Sequence, residues 1–337
     1  MVATKTQPAK LQHRVKFDQY NIPGRGIFPE GVVFDPATGQ LFTASSGNGA
    51  IFRTTLDKQE FEVLSPAGAN GCESILGLRM DHKAGRLFAS ASITGCAYVF
   101  DAKTGTSLGK FTNGLAPKQL EAFGPGRTLP TLINDVAVVD GIAYFTDSYH
   151  PVLYRLTKET VEAANGGTGK LDPWLPFDGT VLRYSKGSSE HGSGYADFIS
   201  GLNLNGIVAT PDGEHLLAVQ TNSGKIFRIT IATKEVIEVT GTGNQFGDGM
   251  FAWDDKLIII DMSLKQPITK LRLNNAFSRY EVIDKSSLPG NVSPTNVEII
   301  DDRVLITESQ LVDVKFAKKP EHLPYRIISY PFSAIGE

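Results

Sequence analysis

Glu30, Leu76, Asn134, Asn205, Asp248 and Asn296 each open an alternating apolar run, and five of these six side chains carry an oxygen. Carboxylates and amides at equivalent places of a repeat suit a hard cation, because calcium takes about six to eight oxygen ligands from such groups and from water. Glu30 and Asp248 supply the negative charge, and Asn134 and Asn205 add neutral oxygens. Asn296 is as well placed to hydrogen-bond substrate or a ligand residue as to touch the ion. Leu76 leaves one apolar wall. Zinc, manganese and magnesium are the alternative ions. Asn-Gly and Asp-Gly pairs also serve ordinary turns by satisfying local backbone groups. Here each pair precedes a strand at one phase of a repeat instead of sitting at a hairpin tip.

The six phrases start 46, 58, 71, 43 and 48 residues apart. A β-rich unit at this period marks a propeller, in which each unit is one four-stranded blade around a central channel. After each phrase comes a turn rich in Asp, Pro and Gly, such as Asp35-Pro36-Ala37-Thr38-Gly39 or Pro211-Asp212-Gly213, and then a second β-rich run such as Gln40–Ser45 or Lys256–Asp261. Those are the residues hairpin turns require. Lys158–Ala164 is the one helical candidate. The expected fold is all-β: a six-bladed β-propeller with four-stranded blades and an axial metal site, one domain over residues 1–337. Residues 1–10 are expected to be disordered. Residues 12–17 and 325–330 are the candidates for closing the last blade.

Blade geometry sorts residues by face. If each inner strand starts at the upper mouth of the channel, the end of the second strand returns there. Asp147, Ser148, Tyr149, His150, Ser309 and the segments 113–133 and 186–203 then lie on the upper face, where loops on a rigid scaffold carry binding residues. His82 falls in a lower-face turn. His150 has the intrinsic pKa for acid–base work, and His191 sits in an upper-face loop. Asp135, Asp147, Tyr149, His191 and Asn296 are expected to support the ligands or touch substrate. Leu76, Tyr149, Phe246 and Met250 point to an apolar mouth.

Composition excludes several classes. With 41% hydrophobic and 20% charged residues the chain can build a sizeable core, so wholesale disorder is not expected. A net charge of −3 offers no basic footprint for nucleic acid. No run reaches the ~18 apolar residues of a membrane helix, and the first residues lack the apolar core of a signal peptide, so a cytoplasmic protein is expected unless a signal was removed. Cys72 and Cys96 are too few for a disulfide framework; they are either two thiols or one local bridge. Nothing in the sequence sets an oligomeric state.

Four motifs carry a resemblance: Pro29-Glu30-Gly31, Ile133-Asn134-Asp135, Leu204-Asn205-Gly206 running on to Pro211-Asp212-Gly213, and Gly247-Asp248-Gly249-Met250. Over residues 25–310 the chain resembles the family of gluconolactonase and regucalcin (senescence-marker protein), with the paraoxonases as more distant relatives. The resemblance implies a six-bladed propeller with an axial divalent metal on Glu30, Asn134, Asn205 and Asp248. It also implies hydrolysis of a lactone or related ester, with Asp248 activating water. The paraoxonase histidine pair has no counterpart here, and Asp248-Gly249 looks like gluconolactonase where the paraoxonases have Asp-Asn. Strictosidine synthase shares the architecture but lacks this metal set. The expected function is therefore calcium-dependent hydrolysis of a lactone or cyclic ester, a small-molecule substrate, with Asp248 or His150 as base. The alternatives are a propeller that binds metal and a ligand or protein without turnover, and a biosynthetic isomerase or condensing enzyme.

Overall fold

In the computed structural model, which describes residues 13–115, 130–185, 199–262, 267–288 and 293–335, the alternating runs pair as antiparallel hairpins. They form six sheets, each built outward from an inner strand. The inner strands are Pro29–Asp35, Leu78–Asp81, Ile133–Val139, Leu204–Ala209, Gly247–Trp253 and Pro294–Ile300. The second strands follow after short turns: Gln40–Ser45, Arg86–Ser90, Ile142–Asp147, His215–Gln220, Lys256–Asp261 and Arg303–Glu308. The turns use the chemistry expected of them. In the first, Asp35 Oδ1 accepts the Ala37 N–H at 3.1 Å and Gly39 donates to the Asp35 carbonyl at 2.8 Å.

Blade six is completed from the other end of the chain, since Gln19–Ile22 pairs antiparallel with Tyr325–Pro331. The N-terminal closing strand therefore lies further along than residues 12–17. The burial pattern gives the reason. Tyr20 and Ile22 are fully buried beside Tyr325 and Ile327, whereas Val15 and Phe17 are only partly buried. The expectation for residues 1–10 falls outside the described residues.

The core is divided into six apolar clusters, one between each pair of neighbouring blades. Val32 and Ile300 share the cluster between blades one and six. Phe42 packs with Leu87 between blades one and two, and Ile258 with Ile306 between blades five and six. Every inner strand thus buries alternate side chains against opposite neighbours, and the stack of faces closes on itself.

The longest repeat, between Asn134 and Asn205, contains an insertion. Helix Lys158–Ala164 forms where expected, capped by Thr157 Oγ1, which accepts the Thr160 N–H at 3.3 Å. The short strand Thr168–Lys170 then adds to blade two in parallel with Ser107–Thr112, giving that blade a fifth strand. Cys72 and Cys96 are both buried free thiols.

Candidate metal centre

The strand register shows how the ring residues are aimed. In blade one, Pro29 pairs with Ser45 and Val32 with Thr43, which leaves Glu30 and Gly31 opposite a single residue. The same skip occurs at Asn134-Asp135, Asn205-Gly206, Asp248-Gly249 and Thr295-Asn296. Each is a β-bulge, which bends the strand and redirects a side chain. Leu76-Gly77 stands just ahead of the inner strand of blade two, at the matching place.

This register corrects the sixth copy of the repeat. Thr295, not Asn296, is equivalent to Glu30, Asn134, Asn205 and Asp248. Asn296 is equivalent to Asp135, and each of the two accepts the N–H of the following residue: Val297 to Asn296 Oδ1 at 2.9 Å, and Val136 to Asp135 Oδ1 at 2.8 Å. The signal was present in the pattern of a polar residue, then Gly, Asp or Asn, then an apolar residue. Thr295-Asn296-Val297 fits Asn134-Asp135-Val136 once the second place is recognised.

The second place is constrained by the neighbouring blade. A Cβ on Gly206 would lie 2.0 Å from the Asp248 carbonyl oxygen, so only glycine fits where blade five crosses blade four. Hydroxyls from the second strands close the same seam. Thr146 Oγ1 donates to the Asn205 carbonyl at 2.7 Å and Thr307 Oγ1 to the Glu30 carbonyl at 3.0 Å.

All six equivalent residues line one funnel of about 600 Å³, a volume that includes space open to solvent. Ser148 Oγ accepts the Asn134 Nδ2 at 2.9 Å and donates to the Leu204 carbonyl at 2.7 Å, which fixes that amide and leaves Asn134 Oδ1 as the acceptor end. Ser309 Oγ donates to Glu30 Oε1 at 3.1 Å. The Asn205 amide donates to the Asp248 carboxylate and to the Met262 sulfur at 3.8 Å. Ser148 and Ser309 each follow a second strand directly, where the blade geometry places rim residues.

Two carboxyls so enclosed are costly to ionise. Burial pushes Glu30 well above the usual carboxylate range, and the Asp248 charge pushes it further. Burial, followed by the Asp135 charge, raises Asp248 to about 7. Among the described lining residues there is no lysine, arginine or histidine. Two carboxylates and two amides therefore converge without a fixed positive charge, and this donor set fits a hard divalent cation.

The funnel wall comes from elsewhere. Leu132, Leu202, Met262, Leu311, Val312 and Phe316 surround the oxygens. Of the apolar mouth expected from the sequence, Leu76 is in this lining, while Tyr149, Phe246 and Met250 are not. Met250 is fully buried between blades four and five. Val312–Phe316 forms one turn of π-helix with no periodic signal in the sequence.

The remaining predicted residues separate by place. Asp147 accepts the N–H groups of Leu132, Tyr149 and His150, all at 2.9 Å, and the Thr131 hydroxyl, so it anchors the loop that carries Leu132 into the wall. Asp135 Oδ2 accepts the Ile207 N–H at 3.1 Å and ties blade three to blade four. His150 stacks near Tyr154 at 6.4 Å between centroids and is outside the described lining, as is Tyr149. His191 lies outside the described residues. The one Gly-x-Ser-x-Gly stretch, residues 105–109, runs from a turn into the strand Ser107–Thr112, without the strand-to-helix elbow a nucleophilic serine needs. Asp212, Glu214 and His215 cluster at the surface. Their groups serve the turn there, with Asp212 Oδ1 accepting Thr210 Oγ1 at 2.6 Å and the Glu214 N–H at 2.9 Å.

Six four-stranded antiparallel blades closed around an axis define a six-bladed β-propeller. Solved structures share this fold. The major Malassezia sympodialis allergen Mala s 1 aligns with a TM-score of 0.63 at 14% identity over 96% of this chain and 98% of its own. Virginiamycin B lyase from Staphylococcus aureus aligns at 0.53 and 12% identity, over 92% of this chain and 97% of its own. Its catalytically inactive histidine-to-alanine variant, solved with quinupristin, aligns at 0.52 and 14% identity over the same 92% and 97%. No family model and no curated protein matches the chain, so the gluconolactonase resemblance rests on the four short motifs.

Proposed function

We propose that this chain is a divalent-cation-dependent hydrolase of a lactone or related cyclic ester, with calcium as the cation. One observation carries the reading. Glu30, Asn134, Asn205 and Asp248 come from four different blades to one funnel whose described lining has no fixed positive charge. Those four residues would hold the ion. When bound, it supplies Lewis acidity toward the acyl oxygen and acidifies water.

The chain's own residues account for the rest. The apolar wall of Leu132, Leu202, Leu311, Val312 and Phe316 takes the body of the substrate and thins out competing water. Ser148 and Ser309 hold Asn134 and Glu30 in place, so that the donors are oriented before substrate arrives. Asp248, whose carboxyl titrates near neutrality without the ion, takes a proton from the attacking water.

The deciding experiment is a lactone and ester panel run on calcium-loaded protein, on protein treated with chelator, and on chelated protein resupplied with calcium. Turnover that is lost and regained with the ion is the expected result. Metal-replete protein inert toward the whole panel would leave a propeller that binds without turnover.

A further inference from the structure

Below the oxygen ring a guanidinium crosses the channel. Arg79, on the inner strand of blade two, donates through Nη1 to the Val32 carbonyl of blade one at 3.1 Å and through Nη2 to the Met250 carbonyl of blade five at 3.0 Å. In a ring of six, blades two and five stand opposite each other, so the side chain passes over the axis. Val32 and Met250 each follow a ring residue by two positions, and at ~3.3 Å per residue this level lies several ångströms beneath the ring. Two carboxylates from a second opposed pair of blades face the same charge. Asp135 belongs to blade three, where its Oδ2 accepts the Ile207 N–H at 3.1 Å, again two positions past a ring residue, and Glu298 belongs to blade six, where the Arg79 charge works against the burial that raises its carboxyl. Glu298 Oε2 accepts the Phe34 N–H at 3.4 Å.

Counted by charge among the described residues, the channel holds Glu30, Asp248, Asp135 and Glu298 against the Arg79 guanidinium. Without Arg79 the lower level would present two carboxylates and two free strand carbonyls, a set of hard oxygens much like the ring above it. We propose that Arg79 is a built-in cation that closes the lower end of the channel and restricts the axial centre to a single metal ion. The word "single" rests on the metal reading given above; the closure does not. Arg79 acts as a positioning residue, because it reaches the ring only through the Val32 and Met250 carbonyls, each two residues from a ring carboxylate, Glu30 or Asp248. Substrate and water consequently enter from the upper face alone.

Calcium bound per chain, measured by calorimetry, and melting temperature in chelator test the proposal in the full-length protein. Wild type is expected to bind one calcium. Arg79→Met should bind two, or melt lower in chelator because Glu298 has lost its counter-charge. Adding Glu298→Gln to Arg79→Met removes the stranded carboxylate, and should return the stoichiometry to one and most of the lost melting temperature. A packing role alone predicts no such rescue. Should Arg79→Met fail to fold, the double variant is still expected to fold. An Arg79→Met protein that binds one calcium and melts as wild type overturns the proposal, as does a double variant no better than the single one. If wild type binds no calcium, the axial metal reading fails by itself, and the rescue in chelator still decides whether Arg79 is the channel's counter-charge.

Discussion

Ser309 in blade six donates to the Glu30 carboxylate of blade one at 3.1 Å, across the seam where the ring closes. The blade that holds both ends of the chain therefore also steadies one of the two anionic ring residues. On the proposed metal reading, this contact would couple metal affinity to the completion of the fold. Ser309→Ala should weaken calcium binding about 10–100-fold, the usual cost of losing a hydrogen bond that orients a ligand. Titration calorimetry reads this directly, and an unchanged Kd would show that Glu30 is held by other means.

Asp248 carries two roles that substitution can separate. Asp248→Asn keeps a ligand oxygen but loses the charge and basicity, so the ion should still bind, more weakly, while turnover falls by about 10²–10⁴. Asp248→Ala should lose both the ion and the rise in melting temperature that calcium gives by mass action. His150→Ala should change little, since that imidazole stacks on Tyr154 outside the described lining. Collapse at His150 with Asp248→Asn still active would place the base on the rim.

Stability should depend on pH in a direction set by the ion. Asp248 titrates near 7 in the fold and Glu30 is raised as well, against about 4 in the unfolded chain. The folded state therefore binds more protons across this window, and stability falls as pH rises through it. In chelator the melting temperature should drop steadily from about pH 4 to beyond 7. With saturating calcium the drop should flatten, because the ion binds the ionised carboxylates and takes over the protons' role. A chelated protein whose melting temperature rises over this range would contradict the assignment.

Gly206 is a test of the ring's geometry rather than of its chemistry. Its added Cβ would meet the Asp248 carbonyl at 2.0 Å, so Gly206→Ala must move the bulge of blade five. Overpacking of this kind costs about 1–3 kcal/mol, which denaturant melts would detect. Calcium affinity should fall with it, since the displaced backbone carries Asp248. A Gly206→Ala protein with native stability and affinity would mean that the bulge is soft.

The strands, their turns and the number of blades were legible because they are local. Alternation such as Gln40–Ser45 marks a strand, and Asp-Pro-Gly chemistry marks its turn, whatever the rest of the chain does. The four residues proposed to hold the ion could be read from the phase of that repeat. The sixth copy was misread by one residue because Thr295 and Asn296 are both polar. Only the pairing of Pro294 with Glu308 and Val297 with Ile306 shows which of them opens the bulge. The strand Gln19–Ile22 was found too early for a related reason: its identity depends on a partner some 300 residues away, Tyr325–Pro331. The funnel wall was beyond local reading altogether. Leu132, Leu202 and Phe316 come together only when the ring is closed, and Arg79 becomes a bridge only because blade five stands across the axis from blade two. Sequence periodicity sets which residues share a level of the propeller, while closure decides which of them meet.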